Sequence, residues 1–262
     1  MTIAVAILGP VAVLVQPSSK GVVGLLGGVT VIASWVLRQT EPAHAEAAAR
    51  VQELFDTNLF ELRWNRILVG PKPTNEEMIA DARRSRVEGE KLKDWYVDPS
   101  PLESPFSVLL CQRSSCVWDR RQRERYGWLV LATTIVGIVG LAAFAWFRDM
   151  RLADYVTALM IPAMSAYLLG FETFRDMQRT AQIRRQLEGE IEELIEQELV
   201  QRRSMNVESL RDIQDRLFLL RSRPGAVPQW LYDWVRIGFQ EDMAQAVNDY
   251  RETILERLNK AV

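Results

Sequence analysis

Two long apolar stretches in the second half of the chain dominate its pattern of hydrophobic and polar positions. The first, residues 126–147, reads YGWLVLATTIVGIVGLAAFAWF and contains no charged residue. At about 1.5 Å per residue, a helix of this length measures roughly 33 Å and crosses a hydrocarbon core of about 30 Å. Aromatic residues at both of its ends are typical of membrane interfaces. We therefore predict a membrane span; the alternative is a buried core helix of a soluble protein.

The second stretch, residues 155–171, follows after only seven residues, RDMRLAD. Such a short connection predicts a helical hairpin with its predecessor. Pro162 lies in the middle of the stretch and is expected to kink the helix, because proline cannot donate the backbone hydrogen bond.

The N-terminus contains two further apolar stretches, residues 2–15 and 21–37. They predict a second hairpin, in which Gly24 and Gly28 allow close helix packing. A cleaved signal peptide is the alternative, but the basic leading residues and the A-x-A-like site of a signal peptide are lacking.

The predicted fold is an all-α membrane protein with four transmembrane helices arranged as two hairpins. Arginines cluster before the third span and after the fourth, whereas the hairpin turns hold few cations. By the positive-inside rule, both termini and the central segment face the cytosol, where the two cysteines stay reduced. The predicted segments are a first transmembrane hairpin (1–37), a central cytosolic helical segment (38–125), a second hairpin (126–171) and a C-terminal cytosolic helical region (172–262).

The central segment is predicted to be helical, with no convincing alternating strand. A helix is expected over residues 45–67. Thr74 and Glu77 form a capping-box pattern that opens a helix to about Lys93. A proline-rich loop, DPSPLESP, precedes residues 106–125, which are predicted to continue as a helix straight into the third span.

The C-terminal region begins with an apolar stripe flanked by six glutamates between residues 188 and 198. A coiled coil and an amphipathic helix packing on the central segment are both compatible with it, and fewer than two clean heptads favour the second. A helix over Glu208–Arg223, a PGAVP break, a QWLYDWVRIGF segment and a final amphipathic helix are expected to follow. The stripe consists of Ile183, Leu187, Ile191, Leu194 and Ile195.

Composition excludes several classes of protein. The chain has 262 residues, with 32 Lys+Arg against 34 Asp+Glu, so it does not resemble a dedicated DNA- or RNA-binding protein. Eight tryptophans and nine phenylalanines exclude general disorder, and two cysteines exclude a disulfide scaffold.

The sequence also lacks the usual motifs of catalysis. His44 is the single histidine, and it is expected to face solvent on a helix. Cys111 and Cys116 form a lone C-x4-C, which is a poor zinc site. Phosphate-loop, nucleophile-elbow and H-E-x-x-H patterns are absent from the sequence. We therefore expect no enzyme activity, no metal and no cofactor.

Binding chemistry is better represented, because arginine, lysine and aromatic residues alternate along the central segment. Arginine forks suit phosphate groups and aromatic faces suit nucleobases, so a nucleotide-like anion is an admissible ligand. The alternatives are that the arginines touch lipid headgroups and that the tryptophans fill the core. The candidates are Arg63, Trp64, Lys72, Trp95, Tyr96, Arg113, Trp118 and Arg121.

A series of short motifs in this order resembles the SMODS-associated four-transmembrane effectors, a family of pore-forming bacterial proteins. The first, F-D-x-x-x-F-x-L-x-W-N, spans residues 55–65 here, and K-P-[ST] spans 72–74. A W-Y pair follows at 95–96, and C-Q-R at 111–113 precedes W-D at 118–119. Because they belong to these motifs, Asn65 and Gln112 are added to the residues predicted to bind a ligand. This chain starts almost inside the first span, where family members carry a preceding cytosolic helical segment.

The resemblance implies a role in antiphage defence at the bacterial inner membrane. A neighbouring nucleotidyltransferase would make a cyclic nucleotide or oligonucleotide, which would trigger a homo-oligomer of the effector to permeabilise the bilayer. The ligand would act on a cytosolic sensor built from the central segment and the C-terminal helices. The alternative is a membrane scaffold or accessory subunit gated by a protein partner through the glutamate-rich helix.

Hydroxyl residues inside the spans are the candidates for lining a pore. Their alternative role is to hydrogen-bond back to helix carbonyls. Asp154 is expected at the outer mouth, either influencing ion choice or capping a helix. The candidates are Thr30, Thr133, Thr134, Thr157 and Ser165.

Overall fold

The computed structural model describes residues 20–84, 95–201, 207–223, 225 and 227–260. Within these ranges the chain is all-helical, which confirms the predicted class. The first expected span, residues 2–15, lies outside the described residues. The described chain divides into two compact units: the chain up to Glu41 with Arg123–Thr180, and Pro42–Gln122 with Ala181 onward.

Helix α1, Lys20–Leu59, joins the second expected span to the first part of the central segment in one continuous helix, which passes through Pro42. The predicted helix over 45–67 was too long, because the helix ends at Leu59. Glu61 takes a left-handed φ of 55°, and the Leu62 N–H bonds the Thr57 carbonyl at 3.0 Å. This is the 6→1 bond of a Schellman motif, here formed without the usual glycine.

Two short helices follow α1. Helix α2, Arg66–Val69, is capped by Asn65, whose side chain accepts a hydrogen bond from the Leu68 N–H. Helix α3, Asn75–Arg84, begins with the predicted capping box: the Thr74 N–H donates to Glu77 at 2.8 Å and the Glu77 N–H to Thr74 at 3.2 Å. The expected continuation to Lys93 lies outside the described residues.

Helix α4, Phe106–Phe147, confirms that one helix runs from the central segment into the third apolar stretch. It ends in a second Schellman motif, with Asp149 at φ 50° and the Met150 N–H bonded to the Ala145 carbonyl at 3.0 Å. Helix α5, Leu152–Tyr155, then starts the return.

The returning helix contains the predicted irregularity. A π-helical turn over Val156–Met160 separates α5 from helix α6, Ile161–Gln201, and Pro162 lies at the start of α6. A widened turn accommodates a mid-helix proline by relieving the contact with the preceding carbonyl.

The two halves of this hairpin pack through a cluster of buried apolar residues. A cluster of Leu141 and Ala145 on α4 meets Leu159, Ala163 and Tyr167 on the returning helix. Both helices are long and apolar enough to cross a membrane. The outward side chains are apolar as well, and they suit a lipid environment; they include Trp128, Val136, Val139, Trp146 and Phe147.

The other unit has a core formed by the start of α4, the end of α6 and two C-terminal helices, α7 (Val207–Arg221) and α8 (Gln229–Asn259). The predicted stripe on α6 packs into this core, which confirms the amphipathic helix and excludes an isolated coiled coil for this segment. The two segments expected after the PGAVP break form the single helix α8.

Candidate functional site

A buried network of charges links α1 to α7. Glu53 and Asp56, one turn apart on α1, are fully buried. Arg211 contacts Glu53 at 2.5 Å, and Arg221 contacts Asp56 at 2.5 Å. Burial of carboxylates requires such partners, because an unpaired charge inside a protein is strongly destabilising.

Two glutamines extend the network to α4. The Gln214 amide donates to Glu53 at 2.9 Å and to Asp56 at 3.0 Å. Gln112 on α4 donates to Gln214 at 3.1 Å and to the Leu210 carbonyl at 3.0 Å. Burial raises the pKa of Glu53, and the hydrogen bonds from Gln214 and Arg211 oppose that rise.

Tyr96 closes the network from the loop before α4. Its hydroxyl donates to Asp56 at 2.8 Å and lies 3.1 Å from the Ser115 hydroxyl. Arg221 also donates to Ser115, at 3.1 Å. Burial, together with the nearby Asp56 charge, raises the pKa of Tyr96, so the phenol stays protonated. Burial alone would lower the pKa of Arg221, but Asp56 and Tyr96 raise it above its ordinary value.

An open cleft of about 430 Å³ lies on the ring side of Tyr96. The Phe55 and Tyr96 rings are nearly parallel, at 17° and with centroids 6.4 Å apart. Phe60 lies 5.5 Å from the Tyr96 ring in a tilted arrangement. We call this site the aromatic cleft; it is lined by Phe55, Leu59, Phe60, Trp95, Tyr96, Val97, Asp98, Pro99, Ser107, Val108 and Cys111.

Of the ten residues predicted to bind a ligand, only Trp95 and Tyr96 line the aromatic cleft. The two predicted arginines on α4 are engaged elsewhere. Arg113 binds Glu192 at 2.7 Å and Glu188 at 3.2 Å, with its guanidinium 4.3 Å from the Tyr250 ring centroid. Arg121 binds Asp242 at 2.8 Å.

The other predicted residues hold loops and helices in place. The Trp64 indole donates to the Gly70 carbonyl at 2.9 Å, and the Lys72 ammonium lies 5.7 Å from the Trp64 ring centroid. Asn65 caps α2 and donates to Asp215 at 2.7 Å. Arg63 is exposed, and its carbonyl accepts a bond from Arg211.

Trp118 packs edge-on against Tyr232 and Phe239, at 5.9 and 5.6 Å between ring centroids. Gln112 belongs to the buried network. The structure therefore does not bring the ten residues together at one surface, and their role in ligand binding stays a prediction. Sequence reasoning did not select Asp56, Phe55 or Phe60, although all three belong to the F-D-x-x-x-F motif.

In the hairpin formed by α4 and the returning helix, three of the residues predicted to line a pore bond back to their own helix. Thr133, Thr134 and Thr157 each donate to the carbonyl four residues earlier, at 2.8 Å. Thr134 is buried, whereas Thr133, Thr157 and Ser165 are exposed. Thr30 lies on α1, and its side chain is outside the description. A pore-lining role stays a prediction for all five.

The two cysteine thiols are buried, and the single histidine is exposed. Cys111 and Cys116 are free and buried, and burial raises the pKa of both thiols to about 12. His44 is exposed on α1, as expected. Among the residues that the structure describes, His, Cys, Asp and Glu form no group able to hold a metal ion.

Comparison with known proteins identifies the family. Residues 1–250 match the SMODS-associating 4TM effector domain. A protein of Bacillus cereus (strain VD146), named a probable CBASS effector molecule, is 27% identical over 213 residues, which cover 81% of this chain and 71% of that protein. No solved structure matches the chain. Because the family match covers nearly its whole length, the chain belongs to the SMODS-associating 4TM effector domain family.

Proposed function

We propose that this protein is the membrane effector of a CBASS antiphage system, and that a cyclic nucleotide second messenger triggers it to permeabilise the bacterial inner membrane. Its family and the name of its relative from Bacillus cereus support this role. The protein acts by binding and rearrangement, without catalysis.

The proposed topology has four membrane helices in two hairpins, with both termini and the central segment in the cytosol. Arg125 flanks the third span, and Arg175 and Arg179 follow the fourth. These positive flanks favour the cytosolic side. The unit containing the buried charge network then lies in the cytosol, where a messenger is available.

The observation that carries the proposal is the continuity of α4. This helix includes Gln112 and Ser115, which belong to the buried network, and ends at Phe147 after the apolar stretch. A ligand that binds more tightly to one arrangement of the network shifts the equilibrium towards that arrangement. The helix offers a direct physical route from that shift to the membrane.

The conducting state is proposed to be a homo-oligomer. The hairpin of α4 and α6 exposes Thr133, Thr157 and Ser165 among apolar neighbours. These hydroxyls would line the pore once copies assemble.

The observed ion pairs do not favour gating by a protein partner through the glutamate-rich part of α6. Glu188 binds Arg113 and Arg120 within the chain. Three further glutamates also bind arginines of the same chain: Glu190 to Arg216, Glu192 to Arg113 and Glu196 to Arg257.

Dye release from liposomes tests the proposed function. The full chain is reconstituted into dye-loaded vesicles, and cyclic di-AMP, cyclic di-GMP, cyclic GMP–AMP and cyclic tri-AMP are added one at a time. Release by at least one of them, and not by its linear form or in protein-free vesicles, is expected. If none releases dye from vesicles in which protease protection demonstrates correct insertion, the proposed function is wrong.

A further inference from the structure

We propose that the aromatic cleft binds one purine base of the messenger by stacking, while the phosphates stay at its rim. This inference rests on the proposed function and assigns it a ligand site.

The walls of the cleft provide ring faces. Phe55, Phe60, Trp95 and Tyr96 all line it, and Phe55 and Trp95 remain 48% and 43% exposed. Partly exposed aromatic side chains that line a concave surface are typical of ligand sites. Stacking on aromatic rings is a general way to bind a nucleobase, because every base has a π-face.

The charges of the cleft match a base better than a phosphate. Among the described residues that line it, Asp98 alone is charged, so these residues offer no cation to a phosphate. Its carboxylate accepts a bond from the Ser100 N–H at 2.9 Å, and bonds from Ser100 lower the pKa of Asp98, which therefore stays ionised. An ionised carboxylate is an acceptor for the amino group of adenine, or for the amino group and N1–H of guanine.

One described cation lies close to Asp98. Arg251 on α8 donates to the Ser100 carbonyl at 3.3 Å, and its charge also lowers the pKa of Asp98. A messenger whose base enters the cleft would place its phosphate near this arginine. The volume of about 430 Å³ lies low in the range of small-molecule sites, which suits one nucleoside rather than a whole cyclic oligonucleotide.

Tyr96 connects the cleft to the buried network. Its ring lines the cleft, while its hydroxyl bonds Asp56 on α1 and Ser115 on α4. A base stacked on this ring would bias the position of the hydroxyl and therefore the arrangement around α4. Tyr96 thus serves as a positioning residue between ligand and membrane helix.

The test compares variants of the full chain in lipid nanodiscs. Binding of the radiolabelled cyclic nucleotides used for dye release is measured by equilibrium dialysis. Trp95→Ala and Phe55→Ala are expected to weaken binding about 5- to 150-fold, the range typical for loss of one stacked base. Trp234→Ala, which removes a 73% exposed tryptophan away from the cleft, is the matched control and should change binding less than about twofold.

Three further measurements sharpen the test. Trp95→Tyr should restore most of the affinity, because it restores a ring face. Cyclic di-UMP, whose single-ring bases offer a smaller face for stacking than a purine, should bind about tenfold more weakly than the preferred purine messenger. Tyr96→Phe should bind nearly as well as the original chain but release dye poorly, because it keeps the ring and loses the hydroxyl.

The outcomes separate the two proposals. If the original chain binds a messenger and releases dye, but Trp95→Ala and Phe55→Ala bind like Trp234→Ala, the cleft is not the site and the proposed function survives. Equal binding of cyclic di-UMP would overturn the purine assignment. If the inserted original chain neither binds nor responds to any of the cyclic nucleotides, the proposed function is wrong and the cleft assignment falls with it.

Discussion

Charged residues in this protein differ sharply in how much their ion pairs contribute to stability. Asp56 is fully buried beside Arg221, whose side chain is 11% exposed. Glu196 and Arg257 form a similar pair on the surface, with side chains 56% and 49% exposed. Water screens the second pair but not the first, so the same acid-to-amide change has different consequences at the two sites.

Asp56→Asn is expected to destabilise the chain by about 3 kcal/mol, because it leaves the Arg221 charge buried without its partner. Glu196→Gln should cost no more than about 1 kcal/mol. Thermal unfolding of both variants in detergent, followed by circular dichroism, measures the difference. Equal losses in the two variants would contradict a stabilising role for the buried pair.

At the scale of elements, close approach of the two halves of the hairpin depends on one glycine. A Cβ added at Gly170 would lie 2.1 Å from the Thr134 hydroxyl oxygen, a distance that no real contact tolerates. A Cβ added at Gly140, on the same hairpin, would meet nothing within 4 Å. Gly170 is therefore a packing residue, and Gly140 has no comparable requirement.

Gly170→Ala should destabilise the hairpin by about 1–3 kcal/mol through overpacking. Gly140→Ala is the matched control and should leave stability unchanged or slightly raised, because alanine favours a helix. Adding Thr134→Ala to Gly170→Ala removes the clashing hydroxyl and should recover most of the loss. Thermal unfolding in detergent tests all three, and a stable Gly170→Ala would show that the helices do not pack this closely.

At the scale of the whole molecule, α4 belongs to both compact units, since the boundary between them falls at Arg123. The proposed function requires this helix to stay continuous. Arg125 lies just beyond the boundary and is exposed, so it is a suitable position for breaking the helix without removing a core side chain.

Arg125→Pro should leave messenger binding in nanodiscs within about threefold while abolishing dye release, because a mid-helix proline removes a backbone bond and kinks the helix. Arg125→Ala controls for the lost charge and should release dye normally. Release by Arg125→Pro at the original rate would mean that a continuous α4 is not needed for opening.

Features that depend on neighbours in the chain were predictable. The apolar stretches, the Thr74–Glu77 capping box and the amphipathic stripe of α6 are each defined by residues close together in the sequence. Composition, spacing and periodicity were therefore enough to predict them. The end of α1 was less predictable, because its left-handed position is occupied by Glu61 and not by glycine.

The site depended on contacts between distant parts of the chain. Asp56 meets Tyr96 across 40 positions and Arg221 across 165, and no local pattern records such pairings. For the same reason, the sequence predicted that Arg113 and Arg121 are available to bind a ligand, although folding places carboxylates beside them. Residue order therefore reveals which segments are helical and apolar, whereas packing determines which charges are neutralised and which aromatic faces stay open, because those depend on what the fold brings within a few ångströms.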